Sequence, residues 1–99
     1  MKKVMVRYKV KPDSAEENKR LIKNVFTELN KNKPAGIKYT SYLLADKVSF
    51  VHIASIETED GSNPLSLIQA FKDFTKDIKE RCEEPPVTSE IEEIGNFGF

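Results

Sequence analysis

The segment Ile37–Glu57, "IKYTSYLLADKVSFVHIASIE", decides the fold. Two runs rich in β-branched and aromatic residues flank "ADK", the pattern of a β-hairpin with a short turn. A two-residue turn pairs Ala45 with Val48, and every other pairing follows from it. Leu43 then faces Phe50, Ser41 faces His52, and Tyr39 faces Ala54. The opposite side carries Leu44, Tyr42, Thr40, Val51 and Ile53. Both sides are largely apolar or aromatic, whereas a sheet with one wet face alternates cleanly between apolar and polar. Each side of this hairpin therefore needs a cover.

The flanking sequence supplies one cover. "KVMVRYKV" alternates, with Val4, Val6, Tyr8 and Val10 on one face and Met5, Arg7 and Lys9 on the other, which predicts a first strand. In the segment that follows, Ser14 and Glu17 have capping-box spacing, and Leu21, Ile22, Val25, Phe26 and Leu29 recur on one helical face. Burying five such side chains contributes on the order of 10 kcal/mol before conformational entropy is subtracted. After the hairpin, Asn63 suits a helix N-cap and Pro64 a first helical position. Leu67, Ile68, Phe71, Phe74, Ile78 and Cys82 continue at helical spacing, "EEPP" stops the helix, and "VTSEIEEIGNF" predicts a polar last strand at an edge. The order is βαββαβ: an α+β, ferredoxin-like fold with a four-stranded antiparallel sheet and two helices on one face. One domain over residues 1–99 accounts for the whole chain. The sheet face away from the helices is left bare, and a second copy related by a two-fold axis is its simplest cover.

Composition narrows the function classes. The 99 residues carry 16 Lys/Arg and 16 Asp/Glu, a formal net charge of zero, which argues against a nucleic-acid partner. The charges are unevenly placed, with 12 Lys/Arg against 5 Asp/Glu in the first fifty residues and 4 against 11 in the rest. Two solvated surfaces explain this, as does a polarised contact with a partner. The single cysteine, Cys82, excludes an intramolecular disulfide, and its expected place at a helix C-terminus is wrong for a reactive thiolate. Glu57, Glu59 and Asp60 cluster without histidines, a weak metal site. The N-terminal stretch is too interrupted by charge for a signal peptide, no run is long enough to span a membrane, and a cytoplasmic location is the expectation.

Four stretches carry a resemblance: "RYKVKPDSAEEN", "PAGIKYTSYLL", "FVHIASIE" and "LIQAFKDF". Together they resemble the dimeric α/β barrel proteins, and within them a small bacterial branch of the antibiotic biosynthesis monooxygenase (ABM) family, across nearly the whole chain. The resemblance implies a homodimer whose sheets face each other around small-molecule cavities. The members it resembles include cofactor-free oxygenases of quinol-type or polyketide aromatics, heme-degrading enzymes, and proteins with no known reaction. The heme-degrading members differ: the positions of their strand Asn and Trp are matched here by Met5 and Ile56, and the chain has no Trp and no His in its second helix. Heme degradation is therefore not expected. The position matched by Ile56 points into the cavity in the family. By that orientation Ile56, Ala54, His52 and Phe50, with Tyr39, Ser41 and Leu43, face the cavity on the side away from the helices. Met5, Arg7 and Lys9 are expected to join them there.

On this reading His52, the only histidine, is the candidate general base, and Arg7 the stabiliser of an anionic or phenolate oxygen. Tyr39, Ser41, Phe50, Met5 and Ile56 are the candidate substrate-binding residues for a small aromatic ligand. Each has a plainer reading. His52 is then a packed histidine bonded to Ser41 or Tyr39, Arg7 an interface ion pair, and the aromatics simply core. The alternative to an enzyme is a ligand-binding or dimeric interaction module of the same fold.

Overall fold

The computed structural model describes residues 1–99. Strand β1 (Lys2–Val10) is followed by a 3₁₀ turn at Pro12–Ser14 and helix α1 (Ala15–Asn32). Strands β2 (Ile37–Leu43) and β3 (Ser49–Ile56) form the hairpin. A second 3₁₀ turn, Pro64–Leu67, leads to helices α2 (Gln69–Lys76) and α3 (Ile78–Arg81), and β4 (Cys82–Glu90) closes the sheet. The strand order is β2-β3-β1-β4, antiparallel throughout. This is the ferredoxin-like arrangement, with the helices on one face.

The hairpin has the expected register, with Tyr39 opposite Ala54, Ser41 opposite His52, and Leu43 opposite Phe50. The Asp46 carboxylate fixes the turn by accepting from the Val48 and Ser49 amides and the Ser49 hydroxyl. Those bonds hold its acid at about pKa 2. Gly36, just before β2, has φ +82°, and an added Cβ there would sit 2.6 Å from the Thr58 methyl. Only glycine fits both constraints.

Three local expectations are corrected. Ser14 precedes α1, but its side chain makes no cap bond, because a 3₁₀ turn delivers the chain with Ser14 already helical. The second helical stretch is broken rather than continuous: Ile68 is extended and Asp77 departs from helical geometry. The 3₁₀ turn buries Leu65, and the extended residue that follows it, Ile68, is buried as well. Cys82 opens β4 instead of ending a helix, and β4 stops at Glu90, leaving 91–99 without regular structure. Pro85 and Pro86 lie inside β4, where an edge position and register shifts against β1 accommodate them.

The core lies between sheet and helices. Tyr8, Val10 and Phe50 meet Ala15, Ile22, Val25 and Phe74 there, with Val6, Tyr39, Leu43 and Phe71 packed around them. Val4, Val6 and Tyr8 pair with Ala54, His52 and Phe50, so all six share the helix-facing side. Met5, Arg7 and Lys9 pair with Ile53, Val51 and Ser49 on the open side.

Candidate functional site

His52 stands on the helix-facing side, and the expectation that it faces away from the helices is corrected. The ring is buried, 4% exposed, with the Phe74 ring of α2 5.4 Å from it. The reason is registry. Val6 is directly opposite His52 across β1–β3, and the alternating valines of β1 are the residues the helices cover. In an antiparallel pair, Met5 and Arg7 cannot share a face with His52 once Val6 does.

This divides the candidate residues. His52 and Tyr39 line one cavity together. Ser41 stands behind them, its hydroxyl 2.6 Å from His52 Nδ1. Phe50 is in the core, stacked on Tyr8 at 5.5 Å. Ile56 is buried on the same face at the far end of β3 but does not line the cavity. Met5 and Arg7 lie on the open face, lining a shallow groove with Lys9 and Val87. Arg7 is thus separated from His52 by the sheet.

The cavity measures about 260 Å³ and opens between the sheet and α2. Val4, Val6, Ala54, Leu65, Phe71, Phe74 and Ile78 form its apolar walls. Tyr8, Tyr39 and His52 supply polar groups, and Asn63, Thr75, Pro86 and Thr88 complete the lining. No Lys, Arg, Asp or Glu side chain lines it. The aromatic rings are ordered: His52 lies between Tyr8 at 5.3 Å and Tyr39 at 5.8 Å, both nearly parallel to it. Phe71 meets Tyr39 edge-on at 6.3 Å. Tyr8 and Tyr39 reach His52 because each is its diagonal neighbour on an adjacent strand.

Both imidazole nitrogens are engaged. Nε2 is 2.7 Å from the Tyr8 hydroxyl, and Nδ1 is 2.9 Å from the Tyr39 hydroxyl as well as 2.6 Å from Ser41. Behind Tyr8, the Asn18 amide of α1 donates to the phenol oxygen at 2.9 Å, and Arg81 Nε donates to the Asn18 carbonyl oxygen at 3.2 Å. A second guanidinium nitrogen of Arg81 donates to the Phe74 carbonyl in the last turn of α2 at 2.7 Å, with the guanidinium over the Phe74 ring. Burial depresses His52 to a pKa of about 4, so the ring is neutral at pH 7. Burial likewise pushes Tyr39 up to about 12 and Tyr8 further above the usual phenol value. Both phenols therefore keep their protons.

Sequence reasoning missed Tyr8, Asn18 and Arg81. A signal existed for Asn18, which falls in phase with Leu21, Ile22 and Val25 on the buried stripe of α1 and is fully buried. Arg81 follows Phe74 and Ile78 at helical spacing and is 7% exposed. A polar residue on an apolar stripe marks a buried network. Cys82 is half-buried with its thiol pushed up by that burial, and no group of three or more His, Cys, Asp or Glu side chains is placed to hold a metal ion. No helix is long and apolar enough to cross a membrane.

Comparison with solved structures places this architecture. An antibiotic biosynthesis monooxygenase superposes with a TM-score of 0.75 at 14% identity, covering 96% of this chain and 100% of the other. The fold is that of the antibiotic biosynthesis monooxygenases. Rv0793 from Mycobacterium tuberculosis superposes as well, with a TM-score of 0.75 at 14% identity over 96% of each chain. A variant of SnoaB, a cofactor-independent oxygenase from Streptomyces nogalater, matches with a TM-score of 0.69 at 12% identity over 99% of this chain and 97% of its own. No family model matches the chain, and no curated protein matches it by sequence. The ABM fold accounts for the sheet order and the helix layer, and the cavity of this chain lies between the two.

Proposed function

We propose that this ABM-fold protein is a cofactor-independent monooxygenase of a small, electron-rich, quinol-like aromatic. The observation that carries the reading is the uncharged aromatic cavity over the Tyr8–His52–Tyr39 row. The SnoaB likeness supports it, since that protein is named a cofactor-independent oxygenase on the same fold. A cavity of about 260 Å³ suits two or three fused rings, and Phe71 and Phe74 offer faces and edges for stacking. An electron-rich substrate supplies the electrons itself. One atom of dioxygen bonds to a ring carbon, and the other leaves as water with two substrate hydrogens. The protein's part is to orient the ring, exclude water and manage a proton at the oxygen facing His52 and Tyr39. Dioxygen uptake with anthrone and with 1-naphthol is the test. The expected result is uptake faster than the spontaneous rate, lost in His52→Leu. Binding of either compound without accelerated uptake would overturn the enzyme reading.

A second reading, a ligand-binding module without catalysis, is favoured by one observation. His52 is neutral with both nitrogens already bonded, so no free base faces the cavity. The same experiment separates the two, because a binding module takes up the aromatic and leaves oxygen consumption unchanged.

The proposal includes a homodimer through the open sheet face. Met5, Val51 and Ile53 are only half-buried there, and Tyr42 and Val87 are 53% and 64% exposed. A contiguous patch of this kind on an otherwise charged chain calls for a partner surface.

A further inference from the structure

The buried hydrogen bonds have a direction, and it begins at Arg81. A guanidinium can only donate. Its Nε therefore fixes which end of the Asn18 amide is oxygen, and the Asn18 nitrogen must donate to Tyr8. The Tyr8 oxygen, already accepting, has its own hydrogen to give, and His52 Nε2 is the acceptor 2.7 Å away. A neutral imidazole that accepts at Nε2 carries its proton on Nδ1, which then donates to Tyr39 or Ser41. The reverse direction fails at one atom. With Nε2 protonated, the Tyr8 oxygen accepts from both His52 and Asn18, and the buried Tyr8 hydrogen has no acceptor among the protein groups around it. An unpaired buried donor of that kind is rare and costly.

Of the two hydroxyls at Nδ1, only Tyr39 lines the cavity. We propose that Arg81, acting through Asn18 and Tyr8, holds His52 as the Nδ1–H tautomer, so that Tyr39 presents a hydroxyl donor to the cavity and the ligand must offer an uncharged acceptor oxygen, such as the ring ketone or un-ionised phenol of an electron-rich aromatic. This rests on the cavity being the ligand site and names the chemistry that the site recognises. The walls agree with an uncharged ligand, because no ionised side chain is available to pair with a carboxylate or phenolate. Arg81, Asn18 and Tyr8 are positioning residues. Their effect reaches the ligand through the protons they order.

One histidine in the chain makes the test unambiguous. In protein labelled with ¹⁵N-histidine, the nitrogen spectrum at pH 7 should show a protonated Nδ1 and a bare Nε2. Asn18→Asp keeps the shape but replaces the donating amide with a carboxylate paired to Arg81. The Tyr8 hydrogen should then turn to the carboxylate, and His52 should switch to the Nε2–H tautomer. The ligand side is read with 1-tetralone, an acceptor, against tetralin, which has the same rings without the carbonyl. Wild type should prefer tetralone by several-fold to about tenfold, the worth of one hydrogen bond. Tyr39→Phe should erase that preference while tetralin binds as before. Equal binding of the two compounds to wild type overturns the donor assignment and leaves the cavity reading standing. Binding of neither removes the cavity reading, while the nitrogen spectrum still decides the relay. An Nε2–H tautomer in wild type, or no switch in folded Asn18→Asp, overturns the relay itself.

Discussion

His52 shows how burial converts a titratable group into a stability determinant. Its pKa falls from 6.5 to about 4 because desolvation disfavours the charged ring. Above pH 6.5 the ring is neutral whether the chain is folded or not, and it contributes no pH dependence. As pH falls below 6.5, the unfolded chain binds a proton that the native ring refuses until about pH 4. Stability should therefore drop across that window, by on the order of 3 kcal/mol. Urea midpoints at pH 7 and pH 4 measure it, and His52→Leu should flatten this part of the curve. Asp46 acts in a separate window, since its lowered pKa is felt only as pH falls from about 3.8 toward 2. Tyr8→Phe tests the buried relay at the same scale. It keeps the ring stack and leaves the Asn18 amide and His52 Nε2 without partners, so a loss of about 2–3 kcal/mol is expected in chemical denaturation. A loss below half a kcal/mol would show that the relay adds nothing net.

Between elements, the notable tie joins α1 to α2. The residue before α2, Ile68, offers no side-chain cap. Glu28 of α1 supplies one instead, its two carboxylate oxygens accepting from the Gln69 and Ala70 amides at 3.2 and 3.0 Å. A carboxylate at a helix N-terminus satisfies orphan donors and suits the positive end of the dipole. Since α2 carries Phe71 and Phe74, this contact holds the roof of the cavity in place. Glu28→Ala should cost about 1–2 kcal/mol and raise amide hydrogen exchange at Gln69 and Ala70 selectively. Unchanged exchange there would show that water replaces the carboxylate at no cost. The break at Ile68 and the turn at Asp77 explain why a single long helix does not form. Arg81, in α3, turns its guanidinium inward over the Phe74 ring and onto the Phe74 carbonyl, which ties α3 back to α2.

For the whole molecule, the proposed homodimer turns on the open face. The homodimer should appear in sedimentation at about twice the 11.3 kDa chain mass. Ile53→Glu places a charge at the centre of that face, opposite Met5 and Thr40 and remote from the cavity. It should yield a folded monomer by sedimentation, with a far-ultraviolet spectrum like that of the wild type. A wild-type chain that sediments as a monomer at micromolar concentration sinks the barrel assembly.

The hairpin register, the shared face of Val4, Val6, Tyr8 and Val10 in β1, the apolar stripe of α1 and the βαββαβ order were all legible in the sequence. Each rests on local periodicity or on a short turn, and both act over a few residues. The face occupied by His52 was not. Alternation along a strand says which residues share a side, and both sides of this hairpin are apolar, so nothing local says which side the helices cover. That choice is made by pairing β3 with β1, where Val6 meets His52 across 46 positions of chain. The relay was hidden for the same reason. Arg81 and Asn18 are 63 residues apart, and Tyr8 and His52 are 44 apart. Only the closed sheet and its helix layer bring them within hydrogen-bonding distance, because burial in common, and not proximity in sequence, obliges these polar groups to find one another.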